Sequence, residues 1–272
     1  GGGKGMREVT KAEDLPEAFT RAQSEAINAF GNGDIYMEKR VVRPRHVEVQ
    51  IMADQHGNVV HLFERDCSIQ RRHQKVVEET PCPVLLPETR KKLTDVAILA
   101  AKAVDYEAAG KVECLLAEDQ SFYFLEMNTR LQVEHPITEM ITGVDLVQAQ
   151  IRVAAGEELA FSQDDLEQRG HSFECRIYAE DAQNNWAPSP GQLKGYQEPT
   201  GPWIRVDSGV KEGDEVTIFY DPMISKLVVW GIDREDALRR LRRALSEYRI
   251  RGIETTIPFF KALLEDEDFQ KG

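Results

Sequence analysis

Apolar residues recur at helical spacing over residues 12–30, where Phe19, Ala26, Ile27 and Phe30 form a stripe that Gly31 and Gly33 bring to an end. Three short runs with strand character follow, at 35–41, 46–52 and 59–64, and 54–58, with Gly57, predicts the turn between the last two. The polar, basic run 65–75 reads as an ordered loop. Pro87 opens a helix to about Tyr106 whose middle, Val96 to Ala101, is apolar on every side and predicts burial on most of them. Residues 112–117 and 122–127 pair as strands about a turn at 118–121. Asp145 caps a helix to about Ala155, which Gly156 stops. The polar, acidic stretch 157–170 then reads as a linker. Beyond it, short strands at 173–179, 204–207, 216–219 and 226–230 are punctuated by Pro and Gly, before an amphipathic helix at 233–248 and a shorter one from about Pro258. The pattern predicts an α+β chain of two mixed domains, 1–155 and 156–272.

Composition narrows the function. With 34 Lys and Arg against 47 Asp and Glu, the net charge of −13 repels polyanions, which argues against nucleic-acid and membrane-surface partners. A small phosphorylated ligand needs only local cations and stays open. No run approaches the roughly 18 apolar residues of a membrane span. The cysteines Cys67, Cys82, Cys114 and Cys175 form no CxxC pair, so they read as small buried hydrophobes in a reducing compartment, the cytoplasm or, in a eukaryote, the mitochondrial matrix. The opening Gly1-Gly2-Gly3-Lys4-Gly5-Met6 is a loop lacking the element that should precede it, and the chain reads as the C-terminal part of something longer.

Candidate chemistry centres on 122–136. Alternation puts Phe122, Phe124, Glu126 and Asn128 on one face and Tyr123, Leu125 and Met127 on the other, which predicts a central strand buried on both sides. Glu113 lies in an equally apolar run 13 residues earlier, so the hairpin can set two carboxylates side by side. Like charges that close need a cation between them, and two Glu plus the Asn128 amide suit Mg²⁺ or Mn²⁺. A structural alternative pairs both carboxylates with Lys or Arg. The glycines near Lys4 can bring backbone amides close to phosphate oxygens.

These segments, with Met37-Glu38-Lys39, Pro44-Arg45-His46-Val47-Glu48, the run 64–79, Glu126 through Pro136, Glu174 through Asp181, Pro188 through Gly191 and Tyr220 through Met223, resemble biotin carboxylase, an ATP-grasp enzyme. The resemblance implies the later part of an ATP-grasp fold, from its lid loop onward, followed by the biotin carboxylase C-terminal domain. It implies that Gly2 and Gly3 close over ATP phosphates, that Glu38, Lys39 and the backbone at Val41 meet adenine between Leu115 and Ile257, and that His46, Gln70 and His73 hold the ribose. Glu113, Glu126 and Asn128 would bind the metal. Arg130, Gln132 and the Val133 amide would hold bicarbonate, with Lys75 reaching toward it and the γ-phosphate. Glu134 would be the base, and Arg176 would face bicarbonate and the biotin ureido oxygen.

The implied reaction makes carboxyphosphate from ATP and bicarbonate and carboxylates biotin on a carrier protein or domain. A carboxyltransferase and a homodimeric parent are the implied partners. The upstream phosphate-binding lysines of this family lie outside the 272 residues, so the chain alone is expected to have no turnover. Two alternatives stand beside this reading. One is another bicarbonate-using ATP-grasp ligase such as a carbamoyl-phosphate synthase half, which is not expected to carry the 174–181, 188–191 and 220–223 segments. The other is a folding or dimerisation module without catalysis. The arginines of 233–248 could suggest a partner surface, but the interleaved Glu235, Asp236 and Glu247 favour an ordinary amphipathic helix.

Overall fold

The computed structural model describes residues 5–272, and Gly2 and Gly3 lie outside the described residues. Among the described residues one antiparallel sheet carries the architecture. Its strands are β1 (Arg45–Ala53), β2 (Val59–Arg71), β3 (Gln74–Thr80), β4 (Ala108–Leu116), β5 (Phe122–Asn128), β6 (His171–Tyr178), β7 (Ile204–Ser208) and β8 (Met223–Gly231), in the order β7-β8-β6-β3-β2-β1-β4-β5. Three two-stranded ribbons complete the β structure of the described residues. The helices are α1 (Leu15–Phe30), α2 (Pro87–Ala103), α3 (His135–Thr142), α4 (Leu146–Ala154), α5 (Arg234–Glu247), α6 (Ile257–Leu263) and α7 (Glu267–Lys271).

The sheet is continuous across the two stretches expected as domains, because β3 pairs with β6, with Glu78 opposite Glu174. Separate apolar cores pack on its two ends. Val47, Val49, Ile51, Val112 and Cys114 meet the α2 face of Leu93, Ala97 and Ala101 at one end. Phe173, Cys175, Ile177, Leu227 and Val229 meet Leu241, Leu245 and Phe260 at the other. The stretch 157–170 packs rather than swinging free: Leu159, Phe161 and Leu166 lie against Leu62 and Leu146, and Gln163 exchanges hydrogen bonds with the His61 backbone.

Several local expectations need correction. Residues 35–41 form no strand; they are largely exposed, and β propensity without a pairing edge leaves a loop. The run 65–75 is not a loop. It continues β2 to Arg71, turns at Arg72 and His73, both in the left-handed region, and returns as β3. The middle of α2 is buried on one side only, with Ala97 enclosed and Leu99 66% exposed. Within α1 the buried residues are Ala22 and Ala26, whereas Phe19, Ile27 and Phe30 are exposed. β5 is an edge strand, and Tyr123, Phe124 and Leu125 are exposed. No helix of the described residues is long and apolar enough to cross a membrane.

Candidate active site

β1 has two characters. Val47, Val49 and Ile51 enter the core, while Glu48 and Gln50 point to the opposite face, as strand alternation requires. Glu48 sits in register with Arg65 on β2 and with Glu113 on β4. Lys111, two residues before Glu113, shares that face and aligns with Gln50. α3 covers it, beginning at its N-cap residue Glu134.

These residues form a closed network of charge. Arg65, fully buried, donates Nε–H to Glu48 Oε1 at 2.7 Å and Nη1–H to Gln50 Oε1 at 2.7 Å and Thr138 Oγ1 at 2.9 Å. Gln50 in turn donates to the Gly110 carbonyl at 2.9 Å, beside Lys111. A Cβ on Gly110 would lie 2.6 Å from the Tyr106 hydroxyl, so only glycine lets this strand lie so close to Tyr106. Lys75 Nζ donates to Glu48 Oε2 at 2.5 Å and Glu134 Oε1 at 2.7 Å. Lys111 Nζ reaches Glu48 Oε2 at 2.7 Å, Glu113 Oε1 at 2.5 Å and Glu134 Oε1 at 3.0 Å. Arg176 on β6 donates Nε–H to Glu78 Oε1 at 2.6 Å and Nη2–H to Glu134 Oε2 at 2.8 Å. Glu134 therefore has both carboxylate oxygens held, by cations from β3, β4 and β6.

Burial alone would drive these carboxylates toward neutrality. Around Glu48 it is outweighed by Arg65, Lys75 and Lys111, which hold the group well below the usual carboxylate range. Burial and Glu48 push Glu134 up, but Lys75, Lys111 and Arg65 bring it below its ordinary value. Glu113 is drawn down to about 2: burial opposes this, and His46 and Lys111 prevail. His46 lies 3.3 Å from Glu113, and although burial lowers its pKa, Glu113 and Glu48 raise it above the ordinary value. Glu78 moves up, because burial exceeds the pull of Arg176. Glu174, opposite Glu78 in the sheet, is pushed far up by burial and then by Glu78, and neither of its carboxylate oxygens has a hydrogen-bond partner. The network holds ionised acceptors and cationic donors in a dry interior, and an anion that took over some of those donors would lie beside a base able to take its proton.

Other expected residues sit around this centre. Glu126 stands opposite Glu113 in the β4–β5 ladder, and Asn128 donates to Glu126 Oε1 at 2.8 Å. The interior expected around both carboxylates is present only at Glu113; Glu126 is exposed because β5 is an edge. Charge at Glu113 is met by Lys111 and His46 of this same chain. Glu113, Glu126 and Asn128 still offer an all-oxygen donor set on adjacent strands, which fits Mg²⁺ or Mn²⁺. Gln70 Nε2 lies 3.2 Å from His46 Nδ1, so these two meet, whereas His73 is exposed on the hairpin turn. Glu38 and Lys39 lie in the exposed 32–44 loop and Val41 is half-buried there. Leu115 is half-buried on β4, and Ile257 is buried in the β6–α5 core. Arg130 is exposed, its guanidinium on the Leu131 carbonyl at 3.4 Å, and among the described residues no ion pair joins it to Glu134. Gln132 is buried and donates to the Arg130 carbonyl, while the Val133 carbonyl accepts from Lys226 at 3.0 Å. His135 opens α3, where Pro136 fits the first turn because its missing N–H has no helical partner there.

Sequence reasoning missed Lys111, Arg65, Glu78 and the structural part of Glu48. Period two marks Glu48 among Val47, Val49 and Ile51, and Lys111 and Glu113 around Val112 and Cys114, but Arg65 lies between Glu64 and Asp66 and Glu78 beside Glu79, so alternation marks neither of these. All four cysteines are free and buried.

Comparison with known proteins adds the family context. Residues 1–162 match the model described as the carbamoyl-phosphate synthase L chain ATP binding domain, and residues 174–272 match the biotin carboxylase C-terminal domain. A pyruvate carboxylase subunit from Methanothermobacter thermautotrophicus is 56% identical over 272 residues, covering 100% of this chain and 55% of its own length. The biotin carboxylase of a Nostoc species is 50% identical, with 61% of its length covered. A biotin carboxylase–β,γ-ATP complex from Campylobacter jejuni superposes with a TM-score of 0.95 at 49% identity, over 99% of this chain and 60% of that one. The biotin carboxylase domain dimer of Hydrogenobacter thermophilus 2-oxoglutarate carboxylase, solved with MgADP, ADP and bicarbonate, gives 0.94 at 48%, over 99% of this chain and 60% of that one. The chain thus spans a little over half the length of these relatives.

Proposed function

The chain belongs to the biotin carboxylase family, with its ATP-grasp and C-terminal domains, and on that premise we propose that, within a protein of its relatives' length, it carboxylates carrier-bound biotin with ATP and bicarbonate. We read its division as an ATP-grasp part, 1–155, and a C-terminal part, 156–272, joined by one sheet. The observation that carries the reading is Glu134, an ionised carboxylate clasped by Lys75 and Lys111 from one part and Arg176 from the other.

In this reading bicarbonate enters beside Glu134, using Arg130, Gln132 and the Val133 amide, and takes over donors that Lys75 and Arg176 now give to Glu134. Cations on the bicarbonate oxygens lower the affinity of its hydroxyl for the proton, so even a base with a depressed pKa can accept it. The resulting dianion attacks the γ-phosphorus of ATP to give carboxyphosphate and ADP. Lys75 and Arg130 hold the developing charge, and positioning supplies most of the acceleration. Carboxyphosphate then yields CO₂ and phosphate, and the phosphate removes the biotin N1′ proton while Arg176 stabilises the ureido oxyanion. Glu113, Glu126 and Asn128 would hold Mg²⁺ or Mn²⁺, which neutralises ATP phosphate charge when bound. His46 and Gln70 would hold the ribose with His73, Gly2 and Gly3 would cover the phosphates, and Glu38, Lys39, Val41, Leu115 and Ile257 would frame the adenine. The carrier, a carboxyltransferase and a second copy of the protein are the partners this reading requires.

Titration calorimetry of the 272-residue chain with Mg·ATP tests it. Binding heat that Lys75→Met diminishes is the expected result, and no heat at all would leave only a scaffold role. Bicarbonate-dependent ATP hydrolysis with free biotin is expected to be absent in this chain alone, and a rate equal to that of a full-length relative would contradict that.

A further inference from the structure

Lys111 is almost wholly enclosed, with 1% of its side chain exposed, and in the reaction proposed above it helps to hold Glu134 but meets no substrate, nucleotide or metal. Its ammonium touches three carboxylates, one of them Glu113 at 2.5 Å, on the carboxylate that a divalent ion at Glu113 would have to share with it. Three donors satisfy an ammonium completely when each meets an oxygen, and three oxygens are what it finds. The neighbourhood has no surplus of negative charge. Glu48, Glu78, Glu113 and Glu134 face Arg65, Lys75, Lys111 and Arg176, four against four, with the His46 ring also against Glu48 and Glu113. A divalent ion entering a buried cluster that is already neutral must shed water without gaining net attraction. With Lys111 gone, the same cluster would hold an excess negative charge beside His46, whose ring nitrogen lies within metal-ligating reach of the Glu48 and Glu113 oxygens.

We propose that Lys111 is a resident cation of this site, standing at Glu113 where a divalent ion would otherwise bind, so that Glu113 ligates metal only after the ammonium has left it. This rests on the reading of Glu113 as a metal ligand and adds the competitor that controls it. The ammonium keeps the carboxylates paired and the strands in register while no nucleotide is present. Metal delivered with a nucleotide then has to displace it, which makes Lys111 a positioning residue for the metal rather than a group that touches substrate.

The test is metal binding without nucleotide or turnover, read from the electron paramagnetic resonance signal of free Mn²⁺ as the 272-residue chain is titrated. Removing the ammonium in Lys111→Met is expected to tighten Mn²⁺ binding about tenfold or more, since one opposing charge at contact distance is lost. Adding Glu113→Gln to that variant is expected to abolish the gain. Circular dichroism establishes that each variant is folded. Unchanged or weaker Mn²⁺ binding in folded Lys111→Met overturns the proposal, as does a gain that survives Glu113→Gln. Should Lys111→Met not fold, Glu113→Gln in the otherwise unaltered chain decides. Mn²⁺ affinity within about twofold of the parent is expected, because the ammonium already occupies that carboxylate, and about a tenfold loss overturns the proposal. Calorimetry with Mg·ATP is a separate readout, so failure here leaves the nucleotide-binding reading standing on its own result.

Discussion

The charged face of β1, β4 and α3 and the charged face of α5 use the same residue types to opposite ends. Around Glu134 the charged side chains of Glu48, Arg65, Lys75 and Lys111 are at most 11% exposed, and each meets partners far away in sequence. On α5, Arg239 pairs with Glu235 one turn away at 2.8 Å, with side chains 56% and 83% exposed. Arg242 and Arg243 make similar exposed pairs with Glu265 and Glu247. Solvent screens the second set, so its ion pairs contribute little and the helix is held by Ala237, Leu238, Leu241, Ala244 and Leu245 beneath. In the first set water has been removed, and the loss of one member leaves the others stranded. Charge density in a sequence therefore says nothing of its energetic weight until its surroundings are known.

Arg65→Met should break this contrast most severely. It takes the donor from Glu48 Oε1, Gln50 and Thr138 in a dry interior, leaving Lys75 and Lys111 on Glu48 Oε2, and is expected to cost about 3–5 kcal/mol in urea unfolding; a loss below about 1 kcal/mol would mean water reaches the cluster. Next comes Glu79, which binds His171 Nε2 at 2.8 Å and Arg234 Nε at 2.8 Å, while Arg234 also donates to the Phe269 and Gln270 carbonyls. Glu79→Gln is expected to cost about 2 kcal/mol and to loosen α7. Burial raises the Glu79 pKa, but His171 and Arg234 outweigh it and hold the group below its ordinary 4.5. Its stabilisation is thus present above 4.5 and lost as pH falls below it, so the variant should show a shallower acid slope in pH-dependent unfolding.

Glu174 has the opposite sign. Its proton is held more tightly in the fold than in the unfolded chain, so stability drops as pH rises above 4.5. Glu174→Gln should flatten that fall and gain on the order of 1 kcal/mol at pH 8. A variant less stable than the parent at that pH would show that the ionised form is the one the fold needs. The smallest effect is expected at the surface: Arg239→Ala should change stability by less than about 0.5 kcal/mol, and 0.5 M salt should remove even that.

Local signals carried much of this architecture. The apolar stripe at 233–248 and the cap at Asp145 were legible because each depends on residues within a few positions. The β4–β5 hairpin was equally readable from its short turn, although a register shift between Glu113 and Cys114 is what sets Glu126 opposite Glu113. Two features escaped for one reason. Arg65–Lys75 resembles a solvated loop because its partners, Glu48, Glu134 and Glu180, lie between 17 and 109 residues away. β5 resembles a central strand because apolar residues on both faces look alike whether they meet a core or an open edge. Tertiary contacts decide both, and they leave no mark on periodicity.

The central claim is that Lys75, Lys111 and Arg176 hold Glu134 as an ionised base inside the protein. Following the Glu134 side-chain carboxyl by carbon-13 NMR, assigned through Glu134→Gln, measures this directly. A midpoint below 4.5 that rises when Lys75 is replaced by Met is the predicted result, and a Glu134 that takes up its proton above pH 6 would contradict the account.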